Sequence, residues 1–188
     1  MFNGKKIAVL CGGDGQEREV SLRSGKAVAD ALNEAGFDAA MIDLKSMDEI
    51  EKIKNFDGVF IAMHGDWGEG GDLQAKLEAM KIPFTGSGSK ASALAMNKIK
   101  ACGLFKANGI KIPDGLVWSE NPEEIISKLG REIVVKPSSG GSTVGITILK
   151  NATPEDLIKA VKVAQESYSG DVLIEKYIEG REITAAVW

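Results

Sequence analysis

The sequence predicts an α/β chain: an open parallel sheet with helices between its strands, followed by a compact α+β unit. Three observations lead there. Short apolar runs at 5–11, 39–42 and 59–63 are separated by helical stretches, the rhythm of βαβ units. The first and third runs end at Gly12-Gly13 and His64-Gly65, at the carboxyl ends where such sheets hold ligands. Beyond about residue 97 the pattern shifts to Asn-Pro and Thr-Pro helix starts between apolar strands of mostly antiparallel potential.

Taken in order, Lys5 to Cys11 reads as a buried parallel strand feeding a turn. A helix follows from about Val20 to Ala35, with Gly25, Val28, Leu32 and Ala35 on one stripe and Gly36 as its stop. Ala39 to Ile42 is a second strand, and Ser46 with Glu49 forms a capping-box pattern for a small helix. Val59 to Met63 is a third strand. Leu73 to Met80 reads as a helix, Ile82 to Gly88 as a loop, and Ala91 to Asn108 as a helix with Gly103 as its weak point. Asn121-Pro122 and Thr153-Pro154 each start a helix. Strands are expected at Glu132 to Val135, Val144 to Leu149, Val172 to Lys176 and Ile183 to Val187. The expected units are 1–97 and 98–188. The last strand alternates like a half-buried one and then stops, so the chain reads as a fragment.

Composition narrows the function. Hydrophobic residues at 44% and charged residues at 27% are an ordinary soluble globular balance. The 23 basic and 27 acidic side chains give −4 with no basic block, which argues against nucleic acid as the main ligand. Cys11 and Cys102 lie far apart and read as small buried residues in a reducing compartment. No apolar run approaches the roughly 18 residues of a membrane span, and no secretory leader pattern opens the chain. The expected setting is the cytoplasm. His64 is the sole histidine, so no multi-histidine metal site is possible.

Four motifs carry chemistry. Val134-Val135-Lys136-Pro137-Ser138-Ser139-Gly140-Gly141-Ser142-Thr143-Val144-Gly145 runs from a strand through a lysine into a Gly/Ser loop. Backbone N–H groups and hydroxyls of such a loop can cover a polyphosphate, with the lysine as a fixed charge. It is not a Walker A loop, because the lysine precedes the glycines; a plain turn accounts for the same residues. Gly12-Gly13-Asp14-Gly15-Gln16-Glu17-Arg18 fits the dinucleotide fingerprint poorly, since Arg18 stands where the third glycine belongs. As a helix N-terminus it suits an anion, while Glu17 suits an ammonium group; an ordinary turn with dipole-complementing acids is the alternative. His64 to Gln74 is denser in glycine than a connector needs, and places His64 at a strand's carboxyl end, where a cleft is expected; a lone structural histidine is the alternative. Lys98 and Lys136 are candidates for phosphate contacts, against a solvated role. Glu175-Lys176-Tyr177-Ile178, with Glu182 beginning the next strand, can take an adenine amino group and ribose hydroxyls; an ordinary charged hairpin is the alternative.

Together these segments resemble the D-alanine–D-alanine ligases of the ATP-grasp superfamily. The matching pieces are Gly12-Gly13 with Glu17 to Leu22, His64-Gly65 with Gly68-Glu69 and Leu73-Gln74, and Pro83 to Gly88. Ala91-Ser92-Ala93, Met96 with Lys98, Val135 to Ser138, Gly141-Ser142 with Val144-Gly145, and Ile174 to Ile178 with Gly180 and Glu182 follow in the family's order. Asn97 stands where the family usually has aspartate, and Gly70-Gly71-Asp72 where it usually has Asp-Gly-Thr.

The resemblance implies a Rossmann-like parallel-sheet domain, 1–97, followed by a central α+β ATP-grasp subdomain, 98–188, with the C-terminal ATP-grasp part absent. It implies ATP-dependent joining of two D-alanines through an acyl phosphate, for peptidoglycan precursors. Glu17 would hold the ammonium of the first D-alanine, with Val20, Ser21 and His64 lining that subsite. Ser142 would bond Glu17, shape the site and meet the nucleotide; Glu17 and Ser142 are thus the catalytic candidates. Lys98 and Lys136 would contact phosphates, while Glu175, Lys176, Ile178 and Glu182 hold adenine and ribose. The loop from Ser138 to Gly145 would close over the phosphates. Mg²⁺ is implied with ligands beyond this segment and none within it, so the segment alone is expected not to ligate. Partners are D-alanine and, as in the family, a second copy in a homodimer, with no nucleic acid or membrane. The alternatives are a related ligase, such as one joining D-alanine to D-lactate, and a non-catalytic nucleotide-binding module.

Overall fold

The computed structural model describes residues 4–15 and 17–185. It divides into two compact units, one running to Asn97 and taking in Gly140–Ser142, the other holding Lys98–Ser139 and the chain from Thr143 onward.

The first unit is built on β1 (Lys6–Gly12), flanked in parallel by β2 (Asp38–Leu44) and β3 (Gly58–Ile61) in the order β2-β1-β3. Being central, β1 is covered on both faces, and Ala8, Val9, Leu10 and Cys11 are all fully buried. Alternation sends Ala8 and Leu10 to one face, with Leu44, Ile53, Leu73 and Leu77, and Val9 to the other, with Ala29 and Ala62. Each large side chain so buried stabilises by roughly 1.5–3 kcal/mol.

The helix α1 (Arg18–Glu34) covers the Val9 face. Its Gly25 permits the approach: a Cβ there would lie 2.6 Å from that of Cys11. On the other face lie a 3-10 helix (Met47–Ile53) and α3 (Asp72–Ala79), the latter preceded by the short α2 (Asp66–Glu69). The capping box expected at Ser46 does not form. Ser46 makes no side-chain cap bond, and the Glu49 carboxylate instead accepts from Lys45 N–H at 2.9 Å. The segment read as a loop after α3 touches the sheet: Val59 N–H donates to Pro83 C=O and Thr85 N–H to Val59 C=O, pairing Phe84 with β3.

The helix expected from Ala91 to Asn108 is two helices, α4 (Ser89–Met96) and α5 (Lys98–Ala107). The break falls at Asn97, whose backbone is extended, and not at Gly103, which α5 accommodates.

In the second unit an antiparallel sheet has the order β4-β7-β5-β6: β4 (Gly115–Val117), β7 (Val172–Lys176), β5 (Ile133–Pro137) and β6 (Thr147–Leu149). Helices α6 (Pro122–Leu129) and α7 (Pro154–Ser167) cover one face, burying Ile125, Ile133, Val135, Leu157, Val172 and Ile174. Both expected N-caps form: Asn121 Oδ1 accepts from Glu124 N–H, and Thr153 with Asp156 closes a full capping box. Strand β4 had no counterpart in the sequence pattern. Strand β6 starts at Thr147 rather than Val144, because Ser142 to Gly145 form turns. Of the strand expected at Ile183 to Val187, residues 183–185 carry no strand, and 186–187 lie outside the described residues.

Candidate functional site

In the first unit the carboxyl ends of β1 and β3 meet the start of α1. The Ser21 hydroxyl is fully buried and bridges them, accepting from Gly12 N–H and donating to Ala62 C=O, both at 3.0 Å. A buried hydroxyl with both partners internal is a strut between strand ends. Val20, one residue earlier, is 42% exposed.

Glu17 is the N-cap residue of α1, yet its side chain caps no helix N–H. Its carboxylate instead accepts from Ser142 Oγ at 2.5 Å. It also packs on Gly65, where a Cβ would lie 2.7 Å from Glu17 Oε2. Ser142 and Thr143 are successive non-glycine residues in the left-handed region, with φ of 51° and 66°. That conformation is costly for Thr, whose Cβ is branched, and it turns the Ser142 hydroxyl towards Glu17.

His64 follows β3. Its Nε2 lies 3.1 Å from Ser24 Oγ and its Nδ1 3.8 Å from Glu69 Oε1. Partial burial, then the Glu17 charge, raise the Glu69 carboxyl above its ordinary value. His64, Ser24 and Glu69 line a cavity of about 580 Å³ in this unit, with Thr85, Ser87 and Ser92 on its wall.

Arg18 explains the failed dinucleotide fingerprint. Its guanidinium forks onto Asp43, at 2.9 and 2.7 Å, and Nη1 also donates to Gly13 C=O at 3.0 Å. Gly12, at φ 95°, lies against the pair: a Cβ would stand 2.2 Å from Asp43 Oδ1. Arg18 thus fills the ground that a third glycine would leave open. Its hydrogen bonds hold the Asp43 carboxyl below the usual range. Burial, then the Asp43 charge, push the Cys11 thiol up to about 11, so Cys11 is inert packing.

The second unit gathers charge on the sheet face opposite α6 and α7. There Val134 pairs with Glu175 and Lys136 with Leu173 across β5 and β7. Lys136 Nζ forms an ion pair with Glu175 Oε2, and Glu175 is only 5% exposed. Cys102 Sγ lies 3.7 Å from Glu175 Oε1; burial and that carboxylate raise its thiol. Lys98 N–H donates to Ser138 C=O at 2.7 Å and its Nζ to Ser139 C=O at 3.1 Å, tying the start of α5 to the Gly/Ser loop. Glu175 and Cys102 also line a cavity of about 550 Å³ between α5 and β4.

Lys98, Lys136 and Glu175 are therefore brought together with the loop. Lys176 ends β7, while Ile178, 62% exposed, and Glu182 lie on irregular chain beyond it. The hairpin expected to carry Glu182 is not formed among the described residues, because no strand follows β7 there. Arg18–Asp43 was the pair not anticipated; its one signal was an arginine in a glycine's place.

Models of the D-Ala–D-Ala ligase N-terminus and C-terminus match residues 43–87 and 100–188. The chain belongs to the D-alanine–D-alanine ligase family. It is 44% identical over 185 residues to the D-alanine–D-alanine ligase of Geobacter sulfurreducens, covering 97% of this chain and 58% of that relative. The crystal structure of D-alanine–D-alanine ligase from Bacillus anthracis superposes with a TM-score of 0.86 at 36% identity, over 94% of this chain and 59% of that one. The same ligase complexed with ATP gives 0.84 at 33%, over 95% and 58%. The chain thus spans under two thirds of the length of these ligases. The expected class, a parallel α/β unit followed by an α+β ATP-grasp unit, agrees with them.

Proposed function

We propose that this chain carries the first-substrate site and part of the nucleotide grip of an ATP-dependent ligase joining two D-alanines. A carboxylate is a poor electrophile, so a D-alanine carboxylate oxygen first attacks the γ-phosphorus of ATP, and ADP leaves. The amine of a second D-alanine then attacks the carbonyl carbon of the acyl phosphate. The tetrahedral intermediate collapses with loss of inorganic phosphate and one proton, leaving the dipeptide.

The observation that carries this is the Glu17 carboxylate, fixed by Ser142 Oγ and packed on Gly65 beside His64. A fixed carboxylate matches the ammonium of an amino acid, and a charge-assisted pair contributes about 1.5–3 kcal/mol. Val20 and His64 line the same subsite, while Ser21 supports it from beneath through its two internal bonds. Lys98 and Lys136 supply positive charge for the phosphates. Glu175, Lys176, Ile178 and Glu182 serve adenine and ribose. Mg²⁺ would offset phosphate charge in the whole ligase. Among the described residues no group of three or more His, Cys, Asp or Glu is placed to hold a metal. The cytoplasm is the proposed setting; among the described residues no helix is long and apolar enough to cross a membrane.

The test is calorimetric titration of D- and L-alanine into the chain with a non-hydrolysable ATP analogue present. D-alanine binding is expected, weakened about tenfold or more by Glu17→Gln. Equal, Glu17-independent binding of both enantiomers would overturn the assignment.

A further inference from the structure

Glu17 has its carboxylate held at two points, Ser142 Oγ and the surface of Gly65, and its C=O accepts from Ser21 N–H at 2.9 Å, but the turn that leads into it is rich in glycine. Its φ and ψ of −91° and 6° are those of no regular helix cap, and its side chain gives the helix no capping bond. The chain leaves β1 through Gly12 and Gly13, both at positive φ; Gly12 N–H is held by Ser21 Oγ, and the turn beyond Gly13 includes Gly15. Left to itself, such a turn has many conformations. A carboxylate that must meet one ammonium group in one orientation tolerates little of that freedom.

The restraint comes from the next residue. Arg18 holds Gly13 C=O, before the turn, and Asp43, at the end of β2, through one planar guanidinium. Gly13 N–H in turn donates to Leu44 C=O at 2.8 Å, beside Asp43. The turn is therefore closed as a ring: Gly13, Arg18, Asp43, Leu44 and back to Gly13. Glu17 lies within it, one bond from the Arg18 backbone. A lysine has the charge but not the fork that spans a carboxylate and a carbonyl together.

We propose that Arg18 and Asp43 are positioning residues that set the place and chirality preference of the Glu17 carboxylate. This rests on Glu17 being the ammonium anchor. Neither residue is required to touch the substrate; both act through the turn.

The experiment uses the 188-residue chain with Arg18→Ala, Arg18→Lys and Asp43→Asn, read in two ways. In the first, D-alanine, L-alanine and a non-hydrolysable ATP analogue are titrated calorimetrically. The expected result is a tenfold or greater loss of D-alanine affinity in Arg18→Ala and Asp43→Asn, a D-to-L preference falling towards one, and unchanged ATP-analogue affinity. Arg18→Lys is expected to recover less than half of the lost preference. A structural defect alone would lower both ligands together; that result, or an unchanged D-to-L preference, overturns the proposal.

The second readout is NMR of the free chain. The Glu17 carboxyl carbon and Ser142 amide resonances are expected to move in Arg18→Ala and Asp43→Asn, while those of Val9 and Leu10 stay. If Glu17 and Ser142 do not move, the proposal fails even where no alanine binds the parent chain. An absence of alanine binding with moved resonances sinks the ammonium-anchor assignment and leaves the positioning of Glu17 standing. Asp43→Asn, nearly isosteric, guards against Arg18→Ala failing to fold.

Discussion

The two units solve the same problem, holding charge in one place, by different means. In the first, the candidate groups sit where parallel strands end, and close backbone approach does the holding: Ser21 bridges Gly12 to Ala62, Arg18 forks between Asp43 and Gly13, and Glu17 packs on Gly65. In the second, the charges project from the middle of an antiparallel sheet. There alternation alone puts Lys136 and Glu175 on one face while Val135 and Ile174 go to the core on the other. The first site depends on glycines and turns; the second depends on a nearly buried ion pair. Damage to each should therefore look different.

The largest effect is expected from Lys136→Met, which leaves the Glu175 carboxylate buried beside Cys102 without its cation. Removing one partner of a buried pair costs about 3 kcal/mol or more. Urea unfolding with Trp118 as the sole tryptophan reports this unit, since Trp118 packs on its core. A midpoint unchanged from the parent would mean that the pair is no more than a solvated contact.

Gly25→Ala comes next, at roughly 2 kcal/mol, because its methyl would lie 2.6 Å from Cys11 Cβ where α1 meets β1. Trp67, packed on the core of the first unit, is the reporter. If the Trp67 transition holds while that of Trp118 falls, the contrast drawn between the units is wrong.

The smallest effect sharpens the electrostatic side. Arg18 depresses the Asp43 carboxyl in the folded chain. A depressed acid contributes stability that is present above its unfolded value, near 3.8, and lost as pH falls through the folded one. The stability gap between the parent and Asp43→Asn should therefore be constant from pH 7 to 5 and shrink below pH 4. A gap that widens on acidification would contradict the pairing. Because both side chains are partly exposed, added salt should also narrow it.

Much of the architecture was legible because periodicity and capping are local. The apolar run ending at Cys11, the stripe through Val28 and Leu32, and the caps at Asn121 and Thr153 each depend on a few neighbouring residues. What escaped was decided at a distance. Strand β4 is three residues long and exists because β7 pairs with it. Phe84 joins β3 although Pro83 and Gly86 make its surroundings read as a loop. Ser46 had the residues for a capping box, but the chain entered a 3-10 turn and Glu49 bonded Lys45 instead. Among the site candidates, Glu17, His64, Lys98, Lys136 and Glu175 were singled out from the pattern, and Ser142 from the family resemblance; their roles remain proposals. Ser21 proved buried, and Glu182 fell on irregular chain rather than a hairpin.

By itself, then, the sequence determined the alternation of strands and helices, the change of pattern near residue 97, and which polar residues stand at strand ends. These follow from side-chain chemistry and chain geometry over a few residues. That Ser142 meets Glu17 across 125 positions was implied by the family resemblance and by no local pattern; only tertiary structure decided that Arg18 finds Asp43 and that Lys136 and Glu175 share one face. Those contacts join residues far apart along the chain. Their energies exist only once strands have paired and the turns of the Gly/Ser loop have been forced into place.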